Sequence, residues 1–226
     1  MNDFLQALSV WALPVLFAIT LHEAAHGYIA LRFGDDTALR ARRISLNPLR
    51  HVDLVGTVLL PALLLFLSGG RVMFGFAKPV PVDFSRLRNP KRDMVWVALA
   101  GPGANLMMAL IAAVGLHGAA QLEGNLGLWV EANLHNAIFI NALLAVFNMI
   151  PIPPLDGGRV AVGLLPNGPA RAYARLEPAG IFLVLIGLFL LPNVGIDPFG
   201  AIVLPGAQHL IWFVALVTGH PAADLV

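Results

Sequence analysis

The chain contains no cysteine. Disulfides and thiolate metal sites are therefore excluded, and any bound metal must be held by histidine or carboxylate. Charge is also scarce: 12% of the 226 residues are Asp, Glu, Lys or Arg, against about 25% in soluble domains. A net charge of +1 gives no case for a nucleic-acid partner. The first twenty residues lack a basic leader and a small-residue cleavage site, and read as a retained helix and not a removed signal. Apolar residues, by contrast, make up 58% of the chain, and the mean hydropathy is +0.78. A soluble domain carries about 45–50%, so this surplus calls for a lipid bilayer as solvent.

Five stretches are long enough to cross it, about 4–28, 94–116, 134–151, 178–192 and 201–218, a crossing needing roughly 17–25 apolar residues. The expected fold is an all-α integral membrane protein, a polytopic bundle of five to six transmembrane helices forming one membrane-embedded domain over residues 1–226. All 14 Lys and Arg residues fall in the segments 32–50, 71–92 and 159–175. The connections at about 117–133 and 193–200 carry none, and instead hold Glu123, Glu131 and Asp197. Basic short loops mark the cytoplasmic side, which puts the N-terminus outside and the C-terminus inside. A sixth apolar run, about 54–68, lies between two basic segments and is interrupted by Pro61. It reads as re-entrant, a path tolerated only where protein or water satisfies its backbone; an ordinary sixth span is the alternative.

Residues 21–27 read Leu-His-Glu-Ala-Ala-His-Gly. On a helix His22 and His26, four apart, sit one turn above each other on one face. Two imidazoles so placed can hold one zinc ion, with Glu23 beside it as general base. Ionisable residues in a membrane helix are costly and normally face a cavity or a partner. A catalytic zinc takes three protein ligands and keeps one position for water, so another segment must supply the third. Residues 148–158, Asn-Met-Ile-Pro-Ile-Pro-Pro-Leu-Asp-Gly-Gly, contain Asp156, the one acidic residue between Glu131 and Glu177. The charge map brings Asp156 back to the side where His22 and His26 lie. Pro151, Pro153 and Pro154 stop the helix, and Gly157 and Gly158 are expected to let the chain turn beside the carboxylate. Taken alone, this stretch is more often a surface turn.

His22-Glu23-x-x-His26 together with Asn148-x-x-Pro-x-Pro-x-Leu-Asp156-Gly resembles the site-2 protease family of intramembrane zinc metalloproteases, peptidase family M50. Gly34-Asp35-Asp36-Thr37, Leu46-Asn47-Pro48, His51-Val52-Asp53, Ala77-Lys78-Pro79-Val80-Pro81 and Ala100-Gly101-Pro102-Gly103-Ala104-Asn105 resemble a compact bacterial subgroup of it without PDZ or nucleotide-sensing CBS domains. The resemblance implies one Zn2+ on His22, His26 and Asp156, Glu23 as general base and acid, and Asn148 positioning the substrate or stabilising the oxyanion. It implies substrates that are transmembrane segments of proteins, often first clipped by an upstream site-1-type protease, and a place in a bacterial inner membrane with the active site toward the cytoplasm. A catalytically silent adaptor that binds membrane helices and a metal transporter are the competing classes.

Other polar residues carry alternatives. Asn148 either serves the site or caps its own helix end. Asn105 reads as an interhelical hydrogen-bonding group, with a site-shaping role as the alternative. His51 and Asp53 read as an exposed interfacial pair, or else as supports of the site. His117, His135, His209 and His220 have no ligand spacing. The stretch 71–84 alternates like an edge strand or small interfacial β-hairpin, and such an edge would hold an extended substrate by backbone pairing.

Overall fold

The computed structural model describes residues 2–59, 63, 66 and 78–225. Among these, the α-helices in chain order are α1 (Asn2–Arg32), α2 (Thr37–Arg40), α3 (Pro90–Ala119), α4 (Gly124–Asn148), α5 (Asp156–Leu164), α6 (Asn167–Ala174), α7 (Glu177–Leu185) and α8 (Pro198–Thr218). α7 continues through a π-helical turn at Ile186–Leu190 and a 3-10 turn at Leu191–Val194. Five helical stretches are long and apolar enough to cross a membrane: Leu5–Arg32, Pro90–Ala119, Gly124–Asn148, Glu177–Val194 and Pro198–Thr218. The protein is an all-α, multi-pass membrane protein.

The helices start and stop where the side chains dictate. α3 opens with Pro90 at its first position, where a missing N–H costs nothing. α8 opens on Asp197, whose carboxylate accepts the Gly200 N–H, and closes on Gly219 at φ +76°, the left-handed conformation glycine adopts without penalty. The second and third spans are joined by a turn at 120–123, since α4 begins at Gly124, ten residues before the expected start of its span. Polar residues dilute that first stretch of α4, but they have partners. Asn133 bonds the Trp129 carbonyl, His135 lies 3.8 Å from Glu131, and Asn136 donates to Val10 O on α1 at 3.0 Å.

α1, α3 and α4 pack together, and α8 lies against α3 and α4. Their shared core is rich in alanine: Ala109, Ala112, Ala113, Ala142 and Ala207 surround Ile138, Ile211 and Val214. Small residues let membrane helices approach closely and gain van der Waals contact, the main attraction available where lipid tails are as apolar as the helices. Large apolar side chains such as Phe17, Trp96, Ile111, Phe182 and Trp212 stay exposed on the outside, as a lipid-facing surface requires.

α1 ends where α3 begins, because the Arg88 N–H donates to Phe33 O at 3.0 Å. The chain between them therefore leaves and returns at one end of the bundle. Asp35, fully buried, braces that return: one oxygen accepts from Thr37 and the other accepts the Asp83 N–H at 2.7 Å. Of the 54–68 run, Leu54–Leu59 forms a π-helical turn started by Asp53, which accepts the Val55 and Gly56 N–H groups. Apart from residues 63 and 66, the rest of that run lies outside the described residues, as do residues 71–77 of the expected hairpin. The described remainder of the hairpin, 78–84, contains no strand. Its donors go elsewhere: Lys78 N–H to His51 O, Val80 N–H to Glu23, and Asp83 N–H to Asp35, while Pro79 and Pro81 have none.

Candidate metal centre

His22 and His26 lie on α1 with their Nε2 atoms 3.0 Å apart. Asp156, the first residue of α5, puts its Oδ2 at 3.3 Å from each. Asp156 comes from a position 130 or more residues away from the two histidines, and the three ligand atoms converge in a buried spot.

The hydrogen bonds decide which way each imidazole presents its lone pair. The Ala137 carbonyl can only accept, so it takes the Asn141 Nδ2–H at 2.8 Å, which turns Asn141 Oδ1 toward Asn105. Asn105 Nδ2 donates to that oxygen at 2.8 Å and to Ala18 O at 3.2 Å. Asn105 Oδ1 therefore accepts, and His22 Nδ1–H donates to it at 2.6 Å. His26 Nδ1–H donates to Val97 O at 2.7 Å. Both imidazoles then carry a lone pair on Nε2, the tautomer a metal ligand needs.

Two lone pairs and a carboxylate oxygen thus face one another with no hydrogen between them. Asp156 Oδ2 is buried and has no hydrogen-bond partner among the described residues, a costly arrangement unless a cation sits among the three. Tetrahedral ligands at zinc distances of roughly 2.0–2.1 Å would stand about 3.3 Å apart, close to the separations here. The donor set, two neutral histidines and one carboxylate, fits zinc.

Two glycine contacts make the approach possible. A Cβ on Gly101 of α3 would lie 2.4 Å from His26 Nε2 and 2.6 Å from His22 Nε2. Any side chain there would occupy the space between the imidazoles and α3. Gly157 and Gly158, expected to allow a tight turn, serve a different purpose. Both are helical, and a Cβ on them would meet the backbone of Met149 and Pro153 at 2.2 and 2.4 Å. They let α5 press its first turn against the preceding segment, which sets the position of Asp156.

Glu23 follows His22 on α1, and its Oε2 accepts the Val80 N–H at 2.7 Å. The 78–81 segment can reach down to it because Gly27 has no side chain; a Cβ there would meet Val80 Cγ1 at 2.9 Å. Arg43, buried in turn, donates to the carbonyl of Lys78 and, at 3.5 Å, to that of Pro79. Glu23 is therefore held by a loop that a buried guanidinium clamps.

The remaining sequence candidates fall out as follows. Asn148 ends α4 and donates to Leu144 O at 3.0 Å, as a residue finishing its own helix does. Asn105, read first as an interhelical group, is that and also orients His22. His51 is not an exposed interfacial residue: it is 2% exposed, bonded to Ser45 O, and its own carbonyl accepts the Lys78 N–H. Asp53 starts the π-helical turn. Sequence reasoning missed Asn141, Arg43 and the contact made by Gly101; a buried amide inside an apolar run was the available signal for Asn141.

Comparison with known proteins bears on this geometry. The chain is 35% identical over 192 residues to "Putative zinc metalloprotease YwhC" of Bacillus subtilis (strain 168), with 80% of each chain covered. It is 30% identical over 211 residues to "Putative zinc metalloprotease Rip2" of Mycobacterium tuberculosis (strain ATCC 25618 / H37Rv), covering 91% of this chain and 76% of that one. The chain belongs to peptidase family M50. The model of that family matches residues 120–191, from the turn before α4 through Asp156 into the last part of the fourth span. No solved structure gives a significant match. Membership in the site-2 protease family makes zinc the metal to which the His22, His26 and Asp156 group corresponds.

Proposed function

We propose that this chain is an intramembrane zinc endopeptidase that hydrolyses peptide bonds in transmembrane or juxtamembrane segments of membrane proteins. The observation that carries the reading is the buried trio of His22 Nε2, His26 Nε2 and Asp156 Oδ2, all acceptors, with Glu23 next to it on α1. Zinc, when bound there, acts as a Lewis acid that polarises the scissile carbonyl and acidifies water.

The chain's own residues supply the rest. His22, His26 and Asp156 hold the ion, and Asn105 with Val97 O keeps both imidazoles in the ligating tautomer. Glu23 has one oxygen fixed on the Val80 N–H. Its other oxygen, Oε1, takes the proton of the attacking water and returns it to the leaving amine. Asn148 stands at the end of α4, eight residues before Asp156, and in this reading its amide steadies the substrate carbonyl. The basic residues gathered at the metal end of the bundle support a cytoplasmic orientation for it. An upstream protease that trims the substrate's outer portion is the partner this family's chemistry suggests.

The test uses purified protein in nanodiscs with a panel of labelled single-span membrane peptides, comparing wild type with Glu23→Gln. Cleavage by wild type, lost in a variant that keeps its zinc, supports the reading. Equal cleavage by the variant overturns the role of Glu23. Zinc-loaded wild type that captures the peptides and cuts none overturns the enzyme and leaves a helix-binding adaptor.

A further inference from the structure

At the end of the bundle where α1 stops and α3 starts, a groove opens between α3 and the α5–α6 pair. It is open to the surface, has a volume of about 590 Å³, and is lined by the apolar Phe84, Met94 and Val162 and the polar Lys91, Asn167 and Arg171. The volume lies within the range of small-ligand sites, roughly 300–1,000 Å³.

The two cations belong to the basic side chains that have no carboxylate partner among the described residues. Arg40, Arg86 and Arg159 each have a carboxylate partner, Asp36, Asp36 with Asp83, and Glu177. Among the described residues Lys91 and Arg171 have none. Both bond to one residue instead: Lys91 Nζ donates to Asn167 Oδ1 at 3.1 Å, and Arg171 Nε donates to Asn167 O at 3.2 Å. An ammonium has three donors and a guanidinium five, and both side chains are exposed, so most of their N–H groups can exchange water for a ligand. Asn167 thereby brings an ammonium from a membrane helix and a guanidinium from a short surface helix to one rim.

Depth in the membrane identifies the ligand. Pro90–Met94 is the first turn of a crossing helix, and α6 ends three residues before the next crossing begins at Glu177. The rim therefore sits at headgroup level, with the apolar walls continuing toward the acyl chains. Two cations lacking acidic partners, an amide, and an apolar wall below them match a phosphate diester carrying a hydrocarbon tail. Basic pockets between membrane helices on the side that faces anionic lipid bind such headgroups.

We propose that this groove is a binding site for the phosphate headgroup of an anionic phospholipid, recognised by Lys91, Arg171 and Asn167. The site is separate from the metal centre yet joined to it. Val162 lies on α5, which begins at Asp156, and Met94 lies one turn before Val97, whose carbonyl orients His26. A bound headgroup bridges α3 and α6, and α6 packs on α5, whose first residue is Asp156.

Native mass spectrometry of the protein released from nanodiscs tests this without reference to proteolysis. Wild type should retain phosphatidylglycerol in preference to phosphatidylcholine. Lys91→Gln/Arg171→Gln should retain about thirtyfold less, and Arg171→Gln alone, which keeps the Lys91–Asn167 bond, roughly fivefold less. Arg88→Gln/Arg92→Gln removes the same charge from exposed residues outside the groove and should behave as wild type. Equal losses in the two double variants would show diffuse surface attraction and overturn the site. No preference in the wild type would also overturn it. If millimolar inorganic phosphate raises the melting temperature of delipidated protein as much as the lipid does, the ligand is free phosphate and the lipid assignment falls. Zinc content of every sample checks that each variant is folded around its metal centre.

Discussion

The backbone of Gly101 lies directly against His26: a Cβ at position 101 would fall 2.4 Å from the imidazole Nε2. Gly103, two residues further along α3, has nothing within 4 Å of the same construction. The two glycines share a helix and a motif, and differ only in what they face.

Gly101→Ala should therefore displace the imidazoles and reduce zinc affinity about 100-fold or more, at the upper end of what misplaced ligand geometry costs. Gly103→Ala should bind zinc as wild type does and gain slightly in stability, since alanine is the better helix former by roughly 0.8–1.0 kcal/mol. Zinc stoichiometry and competition with a chelator measure both. Equal behaviour of the two variants would contradict the close approach of α3.

The relay from Ala137 O through Asn141 and Asn105 to His22 makes a second prediction. Asn141→Leu removes the shorter of the two acceptors of Asn105 Nδ2 and leaves only Ala18 O, at 3.2 Å, to keep Asn105 Oδ1 turned to His22, so the tautomer of His22 is held less firmly. Zinc affinity should fall roughly 10–100-fold although Asn141 never touches the metal. Isothermal titration of metal-free protein reads the change. Unaltered affinity would mean that Val97 and Asp156 suffice to hold the site.

Arg43 predicts a separation between metal and catalysis. Its guanidinium clamps the Lys78 and Pro79 carbonyls, and the next N–H, that of Val80, holds Glu23. Arg43→Met should keep zinc near one per chain and slow cleavage of a membrane peptide about tenfold, a fraction of the 10²–10⁴ that a general base supplies. Arg43→Lys, which keeps a cation but loses the planar fork, should recover part of the rate. Loss of zinc together with rate would instead make Arg43 a support of the whole fold.

The parts of this protein that were legible in its sequence depend on local periodicity or on composition. The four-residue step from His22 to His26 is helical geometry, and the apolar runs report lipid contact whichever neighbour they pack against. Charge placement brought Asp156 to the side where the histidines lie without any contact information. What escaped depends on segments meeting from far apart. Gly101 looks like a helix loosener until His26 is seen against it. Gly157 and Gly158 look like a turn until the backbone of 149–153 is seen beneath them. The start of α4 was hidden because Asn133 and Asn136 find carbonyl partners, one of them on α1, that hydropathy does not register. His51 looks exposed until Ser45 and Lys78 close over it.

Removal of the metal should be felt by the fold as well as by the chemistry. Without a cation, His22 Nε2, His26 Nε2 and Asp156 Oδ2 confront one another as acceptors in a buried site, and α5 loses its main tie to α1. A chelator should lower the melting temperature of wild type, because a ligand present at 100 times its Kd contributes about 2.7 kcal/mol to stability. Asp156→Ala should already sit at the low value, bind well under one zinc per chain, and show no further change with chelator. Asp156→Asn replaces an anion by a neutral amide of the same shape and should bind zinc more weakly than wild type while keeping the helix start of α5. If Asp156→Ala holds zinc as firmly as wild type, then Asp156 is not the third ligand, and the orphaned Oδ2 requires another explanation.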